Sequence, residues 1–263
     1  MTSLPALFVS HGSPMQALHG GRAAKAWRAL AAELPKPRAV LAVSAHWETR
    51  SPAVSAAATP ETIHDFGGFP EALFQIRYPA PGAPWLAGRV RELIEADGQP
   101  IAIDPERGLD HGAWVPLREM YPAADVPVTQ FAIQPERGTA HHHRLGRALS
   151  KLRDEGVLIV GTGSLTHNLR DWRPNVADDP ANVLAYVAEF QGWMEQALVK
   201  RDIDALLNYR QRAPGATRAH PTDEHLLPLF VAIGAGGDDA VVHHPYAGAT
   251  EAALAMDVYT FGT

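Results

Sequence analysis

Cysteine is absent from this 263-residue sequence. Its absence excludes disulfide bonds, thiolate catalysis and every Cys-ligated type of zinc or iron–sulfur site. Any metal bound by the chain must therefore be held by histidine and carboxylate side chains. The N-terminal residues lack the basic and long apolar regions of a signal peptide, so we expect a cytoplasmic protein.

Blocks of basic residues and long hydrophobic runs are also missing. The formal net charge is −6, and an acidic chain without Lys/Arg clusters argues against nucleic acid or an anionic membrane as partner. No stretch reaches the roughly 18 apolar residues of a transmembrane helix, so we expect no membrane span. Gly161-Thr162-Gly163 follows a predicted strand, but no G-x-G-x-x-G completes it, and a dinucleotide site is only weakly indicated.

Short apolar runs alternate with segments of helical periodicity. The runs predict buried strands at Ala6–Ser10, Ala39–Ser44, Val126–Ile133 and Val157–Val160. The periodic segments predict helices at Ala23–Glu33, Pro84–Ala96, His142–Glu155 and Ala181–Lys200. We therefore expect an α/β fold: one domain over residues 1–263, with a central, mostly parallel or mixed sheet flanked by helices, as in phosphorylase/hydrolase-like folds.

Thirteen histidines make the distribution of this residue informative. Three directly follow predicted strands: His11, His46 and His167. Because the carboxyl ends of parallel strands meet in one crevice, these imidazoles can converge on a metal ion. A single histidine in such a position is more often a hydrogen-bonded structural residue, so the prediction depends on several converging.

A fourth candidate metal ligand is His225. A helix is predicted to begin close to it, since Pro228 is tolerated in the first turn of a helix. The apolar run that follows would bury this helix. Glu224 is adjacent, and the sequence leaves open whether the carboxylate or the imidazole faces the metal.

Two further segments are candidates for a substrate pocket. Residues 63–70 combine His64 with Phe66, Phe69 and two glycines, which is typical of a lid that stacks on a flat ligand or of a tight loop packed on its own aromatics. In Asp110-His111, the aspartate suits a helix N-cap, and the histidine is also a candidate for proton transfer near neutral pH.

The other histidines are predicted to be structural or solvated. His141–His143 should form the solvated face of a helix, His243 and His244 should lie in a loop, and His19 should lie in a surface loop.

These segments resemble the class III extradiol ring-cleaving dioxygenases, specifically the single-domain 4,5-DOPA dioxygenase-like branch. The matching stretches occur in the family's order and run nearly end to end: His11–Met15, Ser44–Trp47, His64–Pro70, Tyr78–Gly82, Asp110–Trp114, Thr166–Leu169 and Pro221–Pro228. Each stretch is short, but the ordered set is highly specific.

The resemblance implies insertion of O2 into a DOPA-like catechol to give a ring-opened semialdehyde. By position it implies His11, His46 and His225 as metal ligands, His167 as ligand or active-site base, and His111 as a second catalytic histidine. The expected substrate-binding residues are His64, Phe66, Phe69 and Trp114. One divalent metal per chain is implied: an all-histidine site is more zinc-like, whereas oxygen chemistry needs iron(II).

Two alternatives to the dioxygenase remain. The same histidines can activate a metal-bound water, which would make the protein a zinc-dependent hydrolase. The fold can also serve a non-enzymatic metal-binding protein, although the presence of both His111 and His167 argues against this. The identity of the catechol, the cleavage position and the oligomeric state are left open.

Overall fold

An eight-stranded mixed sheet organises residues 3–174 and 176–262, which are the residues described by this computed structural model. Along the sheet the strands follow the order β4-β3-β5-β2-β6-β1-β10-β7. The strands are β1 Ala6–Ser10, β2 Ala39–Glu48, β3 Ala53–Ser55, β4 Ala102–Asp104, β5 Val128–Ile133, β6 Val157–Gly163, β7 Val241–Tyr246, β8 Ala249–Thr250, β9 Leu254–Ala255 and β10 Val258–Gly262. Strands β8 and β9 form a separate two-stranded ladder.

The centre of the sheet is parallel and its two sides are mixed. Strands β5, β2, β6 and β1 pair in parallel. On one side β10 and β7 add antiparallel strands, and on the other β3 is antiparallel to β5 but parallel to β4. The carboxyl ends of the four central strands therefore meet at one edge, where sites are commonly built in α/β folds.

Helices cover both faces of the sheet. They are α1 Gln16–His19, α2 Gly21–Glu33, α3 Glu71–Phe74, α4 Pro84–Ala96, α5 His111–Met120, α6 Gly138–Leu149, α7 Ala185–Lys200, α8 Ile203–Leu207, α9 Tyr209–Arg212, α10 Ala216–Ala219 and α11 Leu227–Gly236. Short 3-10 turns occupy Pro135–Arg137, Ser150–Arg153 and Pro180–Asn182. Within the described ranges no helix is both long and apolar enough to cross a bilayer.

Alternate residues of the central strands belong to two different cores. Phe8 of β1 packs in a core with α4, α6, α7 and α11, whereas its neighbour Leu7 packs in a second core with α2 and α5. Since both faces are covered, the central strands are buried along most of their length and are largely apolar. The predicted α/β fold with a central mixed sheet is confirmed.

Most predicted elements exist, with shifted boundaries. The bounds of β1 and α4 agree with the prediction. Strand β2 continues to Glu48, so His46 lies within the strand and not after it. Helix α6 begins at Gly138 and gives way to a 3-10 turn at Ser150, and α7 begins at Ala185 because Pro180 starts a separate turn.

Two predictions about histidines outside the site are wrong. His243 and His244 lie in β7, an edge strand whose alternating exposure leaves no continuous apolar run to reveal it. His142 is fully buried, although its segment was expected to be solvated. Its Nδ1 lies 2.7 Å from the Gly138 carbonyl oxygen, and the Gln134 backbone N–H donates to its Nε2 at 3.0 Å. This pairing requires a neutral ring.

Acid should weaken the fold through His142. Burial lowers the pKa of this imidazole to about 4. Between pH 6.5 and 4 the unfolded chain then binds a proton that the folded chain does not, so stability falls as the pH falls. In metal-free protein, urea unfolding should show a steeper pH dependence for wild type than for His142→Gln, by up to about 1.4 kcal/mol per pH unit. Equal slopes would show that His142 does not contribute.

Candidate metal centre and active site

Five histidines converge on one cavity of about 540 Å³ at the carboxyl edge of the central strands: His11, His46, His111, His167 and His225. The closest approaches join Nε2 atoms. His46 Nε2 lies 3.1 Å from His11 Nε2 and 3.3 Å from His225 Nε2. Ring nitrogens of His11, His46 and His111 also lie within 4.8 Å of one another. Nitrogens this close suit a shared cation.

Separate elements deliver these side chains. His11 follows β1, where its backbone N–H donates to the Gly163 carbonyl oxygen at 2.9 Å. His111 is the first residue of α5, whose N-cap Asp110 accepts from the Ala113 N–H at 3.2 Å. His225 lies in the turn that leads into α11. His46 and His111 therefore lie within regular secondary structure, and the other three histidines lie in separate segments close to the end of a strand or the start of a helix.

Two glycines of β6 bring His225 into place. A Cβ on Gly163 would lie 2.0 Å from the His225 carbonyl oxygen, and a Cβ on Gly161 would lie 2.3 Å from that of Pro228. Only residues without a side chain allow the start of α11 to approach the strand this closely. The Gly161-Thr162-Gly163 motif thus serves backbone packing and not a dinucleotide turn.

Gly163→Ala should therefore damage both fold and site. We expect a loss of about 1–3 kcal/mol of unfolding free energy from overpacking, together with weaker Zn(II) binding because His225 is displaced. Gly88→Ala is the matched control: it lies inside α4 with no heavy atom within 4 Å of the added Cβ, and should be neutral or stabilising. Urea unfolding and metal titration measure both effects. Equal behaviour of the two variants would contradict the close approach.

Thr162 fixes which nitrogen of His11 faces the cavity. Its hydroxyl donates to the Gly112 carbonyl oxygen at 2.6 Å and lies 3.1 Å from His11 Nδ1. Since the hydroxyl proton is already engaged, Thr162 accepts from Nδ1–H. The lone pair of His11 is therefore on Nε2, the atom that faces His46.

Carboxylates lie on the Nδ1 side of two other rings. Asp65 Oδ2 lies 3.4 Å from His46 Nδ1, and Glu224 Oε1 lies 3.0 Å from His225 Nδ1. In both cases the Nδ1 side faces an acceptor and the Nε2 side faces the cluster. Glu224 also groups with His167 and His225 as a possible set of ligand atoms, but its contact to His225 lies on the ring nitrogen remote from His46.

The cluster is electrically neutral around its centre. Burial, reinforced by the neighbouring imidazoles, lowers the pKa of His11 and His225 well below the usual value and that of His46 to about 4. Burial likewise lowers the pKa of His167 to about 4. At neutral pH these rings carry lone pairs and no charge, which is the form that binds metal.

Comparisons with known proteins identify the family. Residues 5–256 match the family described as the catalytic LigB subunit of aromatic ring-opening dioxygenase. The chain belongs to this family. It is a metal-dependent extradiol ring-opening dioxygenase, and this result disfavours the hydrolase and non-enzymatic alternatives.

The similarity to relatives extends along nearly the whole of this LigB-family chain. The 4,5-DOPA dioxygenase extradiol of Beta vulgaris is 42% identical, covering 92% of this chain and 91% of that protein. The protein of the same name from Escherichia coli K12 is 41% identical, covering 97% and 93%. The crystal structure of an uncharacterized protein from Escherichia coli K12 superposes with a TM-score of 0.84 at 35% identity, covering 98% of this chain and 100% of that one.

The remaining wall of the LigB-family cavity is largely apolar. Phe66 and Phe69 line it, with their ring centroids 5.5 Å apart in an edge-to-face arrangement. Leu169, Trp172 and Leu254 also line it. The Trp172 indole N–H donates to Glu251 Oε2 at 2.7 Å, which fixes its orientation. Aromatic side chains in the wall suit a flat aromatic ligand.

Two of the expected substrate-binding residues stand behind this wall. Trp114 is fully buried, and its indole N–H donates to the Ile63 carbonyl oxygen at 2.9 Å. His64 Nε2 lies 3.0 Å from the Ile76 carbonyl oxygen. Neither residue lines the cavity. Both hold the segment that presents Phe66.

Sequence reasoning missed three residues that complete the LigB-family site: Asp65, Thr162 and Trp172. Asp65 lies next to His64 in the segment 63–70, and its carboxylate is the group that reaches the cavity histidines. Thr162 lies between two glycines near the end of β6, and this motif was considered only as a weak dinucleotide signal. Nothing in the local sequence singled out Trp172.

Proposed function

We propose that this protein opens the ring of a DOPA-like catechol with O2, next to the hydroxyl pair, giving a semialdehyde. One divalent metal per chain would be held by His11, His46 and His225, with His111 and His167 moving protons. The observation that carries this proposal is the set of three Nε2 atoms, 3.1 and 3.3 Å apart in successive pairs, beside a cavity lined by aromatic and apolar side chains.

The donor set fits such a metal. Two nitrogen ligands about 2.1 Å from one ion and at about 100° to each other are roughly 3.2 Å apart. The observed separations of His46 Nε2 from His11 Nε2 and from His225 Nε2, 3.1 and 3.3 Å, agree with this value. Imidazole suits both iron(II) and zinc, and we propose iron(II) because O2 chemistry requires a redox-active ion.

When bound, the metal would acidify the catechol hydroxyls and carry electrons from the ring to O2. The protein's part is to orient the ring and to move protons. Phe66 and Phe69 would stack against the ring on one side of the cavity. His64 and Trp114 would contribute indirectly, by holding the loop that carries these two phenylalanines.

His167 is proposed as the base. Its ring is stacked on His225 with centroids 3.4 Å apart and an interplanar angle of 11°. Because burial lowers its pKa to about 4, the ring is neutral at pH 7 and accepts the phenolic proton. Its lack of a short contact to His11 or His46 among the described hydrogen bonds favours the base over a fourth ligand.

His111 is proposed as the acid. It is nearly buried, its ring centroid lies 4.0 Å from that of His46, and its Nδ1 lies 3.0 Å from the Asp65 carboxylate. From this place His111 would donate to the oxygen released when the O–O bond breaks.

The remaining features of the proposal concern the whole chain. We propose one catalytic domain over residues 1–263, located in the cytoplasm, with no nucleic-acid or membrane partner. The net charge of −6 supports the last point.

The proposal is tested by anaerobic reconstitution with Fe(II), followed by a panel of catechols. We expect oxygen consumption with at least one catechol and a yellow ring-opened product. Protein loaded with Zn(II) should consume no oxygen, because zinc is redox-inert. If no catechol elicits oxygen uptake from the iron-loaded protein, the proposed reaction is wrong.

Removing either proton-transfer residue should leave the fold intact and slow turnover. We expect His111→Ala and His167→Ala each to lower kcat by about 100-fold or more, the usual effect of losing a general acid or base. His243→Ala, on the exposed face of β7, is the matched control and should keep full activity. Near-normal turnover by His111→Ala would remove that residue from the mechanism.

A further inference from the structure

One carboxylate contacts two of the cavity histidines at once. Asp65 Oδ1 accepts from the His111 backbone N–H at 2.9 Å and lies 3.0 Å from His111 Nδ1. Its other oxygen, Oδ2, lies 3.4 Å from His46 Nδ1. A single side chain therefore joins a proposed metal ligand to the proposed acid.

A second carboxylate repeats this pattern on the other side of the cavity. Glu224 Oε1 lies 3.0 Å from His225 Nδ1 and 3.9 Å from His167 Nδ1. The two rings it serves are stacked on each other. This carboxylate thus joins another proposed ligand to the proposed base. Its side chain is 17% exposed, against 23% for that of Asp65, so both carboxylates are partly desolvated.

We propose that Asp65 and Glu224 are positioning residues, each of which holds one metal-ligating histidine and one proton-transfer histidine as a coupled pair. The inference rests on the proposed function and deepens it. Asp65 would hold the pair His46 and His111, and Glu224 the pair His225 and His167. Neither carboxylate is assigned to the metal or to the substrate.

The physical need for such residues lies in the two nitrogens of imidazole. A neutral ring binds metal through Nε2 only if its proton stays on Nδ1, and an acceptor at Nδ1 fixes that tautomer and the ring's rotation. The third ligand, His11, obtains the same support from Thr162, which contacts no second histidine of the cavity among the described hydrogen bonds. Each carboxylate therefore links two cavity histidines, whereas Thr162 supports only one.

Asp65 adds a link to the substrate wall. It directly precedes Phe66, whose ring lies 5.5 Å from that of His111 in an edge-to-face contact. The same carboxylate ties this segment to the first N–H of α5. Asp65 therefore anchors a proposed metal ligand, the proposed acid and the segment that carries the aromatic wall.

The test compares Asp65→Asn and Glu224→Gln, which preserve size and remove charge. Asp223→Asn is the matched control, because Asp223 is adjacent to Glu224 but accepts from the Tyr209 hydroxyl at 2.8 Å instead of facing the cavity. Zn(II) affinity of the metal-free proteins is measured by competition with a chelating indicator. We expect each of the first two variants to bind Zn(II) at least about 10-fold more weakly than wild type, and the control to bind it normally.

A second readout addresses the proton-transfer histidines. With saturating Fe(II), kcat of both variants should fall while KM for the catechol changes little, and the solvent deuterium isotope effect on kcat should increase as proton transfer becomes limiting. If a carboxylate had only a structural role, its loss would lower the melting temperature and leave kcat and the solvent isotope effect unchanged. Glu224→Gln leaves the α5 N-terminus untouched, so the inference stays testable if Asp65→Asn does not fold.

The outcomes distinguish failure of the paired role from failure of the proposed function. Wild-type affinity for Zn(II) in both variants, or weakened affinity with an unchanged kcat and isotope effect at saturating Fe(II), would overturn the paired role. If wild type itself binds neither metal, the proposed metal-dependent function fails first.

Discussion

The structure depends on burying several neutral imidazoles with their lone pairs facing one another. Two lone pairs 3.1 Å apart repel unless a cation or a proton lies between them. Burial disfavours the proton, as the lowered pKa values of His11, His46 and His225 indicate. A divalent metal resolves this conflict, because it binds the neutral rings and compensates their mutual repulsion.

The fold supplies the rigidity that this arrangement needs. The parallel strands β1, β2 and β6 end at the same edge, and helices cover both faces of the sheet behind them. Glycines in β6 let the segment before α11 approach the strand backbone, which brings His225 to His46. Fixed Nδ1 partners then leave the Nε2 atoms directed at one point, and the aromatic wall shapes the space next to it.

The sequence predicted the α/β class and the helices and strands with continuous apolar or periodic patterns. It also singled out the five histidines that line the cavity. His11, His46 and His167 were recognised from their places near the ends of predicted strands, and His111 and His225 from their places near predicted helix starts. The sequence did not reveal β7, because this antiparallel edge strand has alternating exposure and no continuous apolar run. It also missed β10, a short buried strand between β1 and β7. Nor did it reveal the roles of Asp65 and Thr162, which depend on contacts to residues 46 and 151 positions away in the chain. Pairings of that kind arise from tertiary packing and leave no local pattern.

The most direct test of the central claim is X-ray absorption spectroscopy of the iron-loaded protein, compared with the His225→Ala variant. The account predicts outer-shell scattering from three imidazoles with nitrogen at about 2.1 Å, and the loss of one imidazole in the variant. An unchanged imidazole count in His225→Ala, or a wild-type spectrum dominated by oxygen ligands, would contradict a metal centre built from His11, His46 and His225.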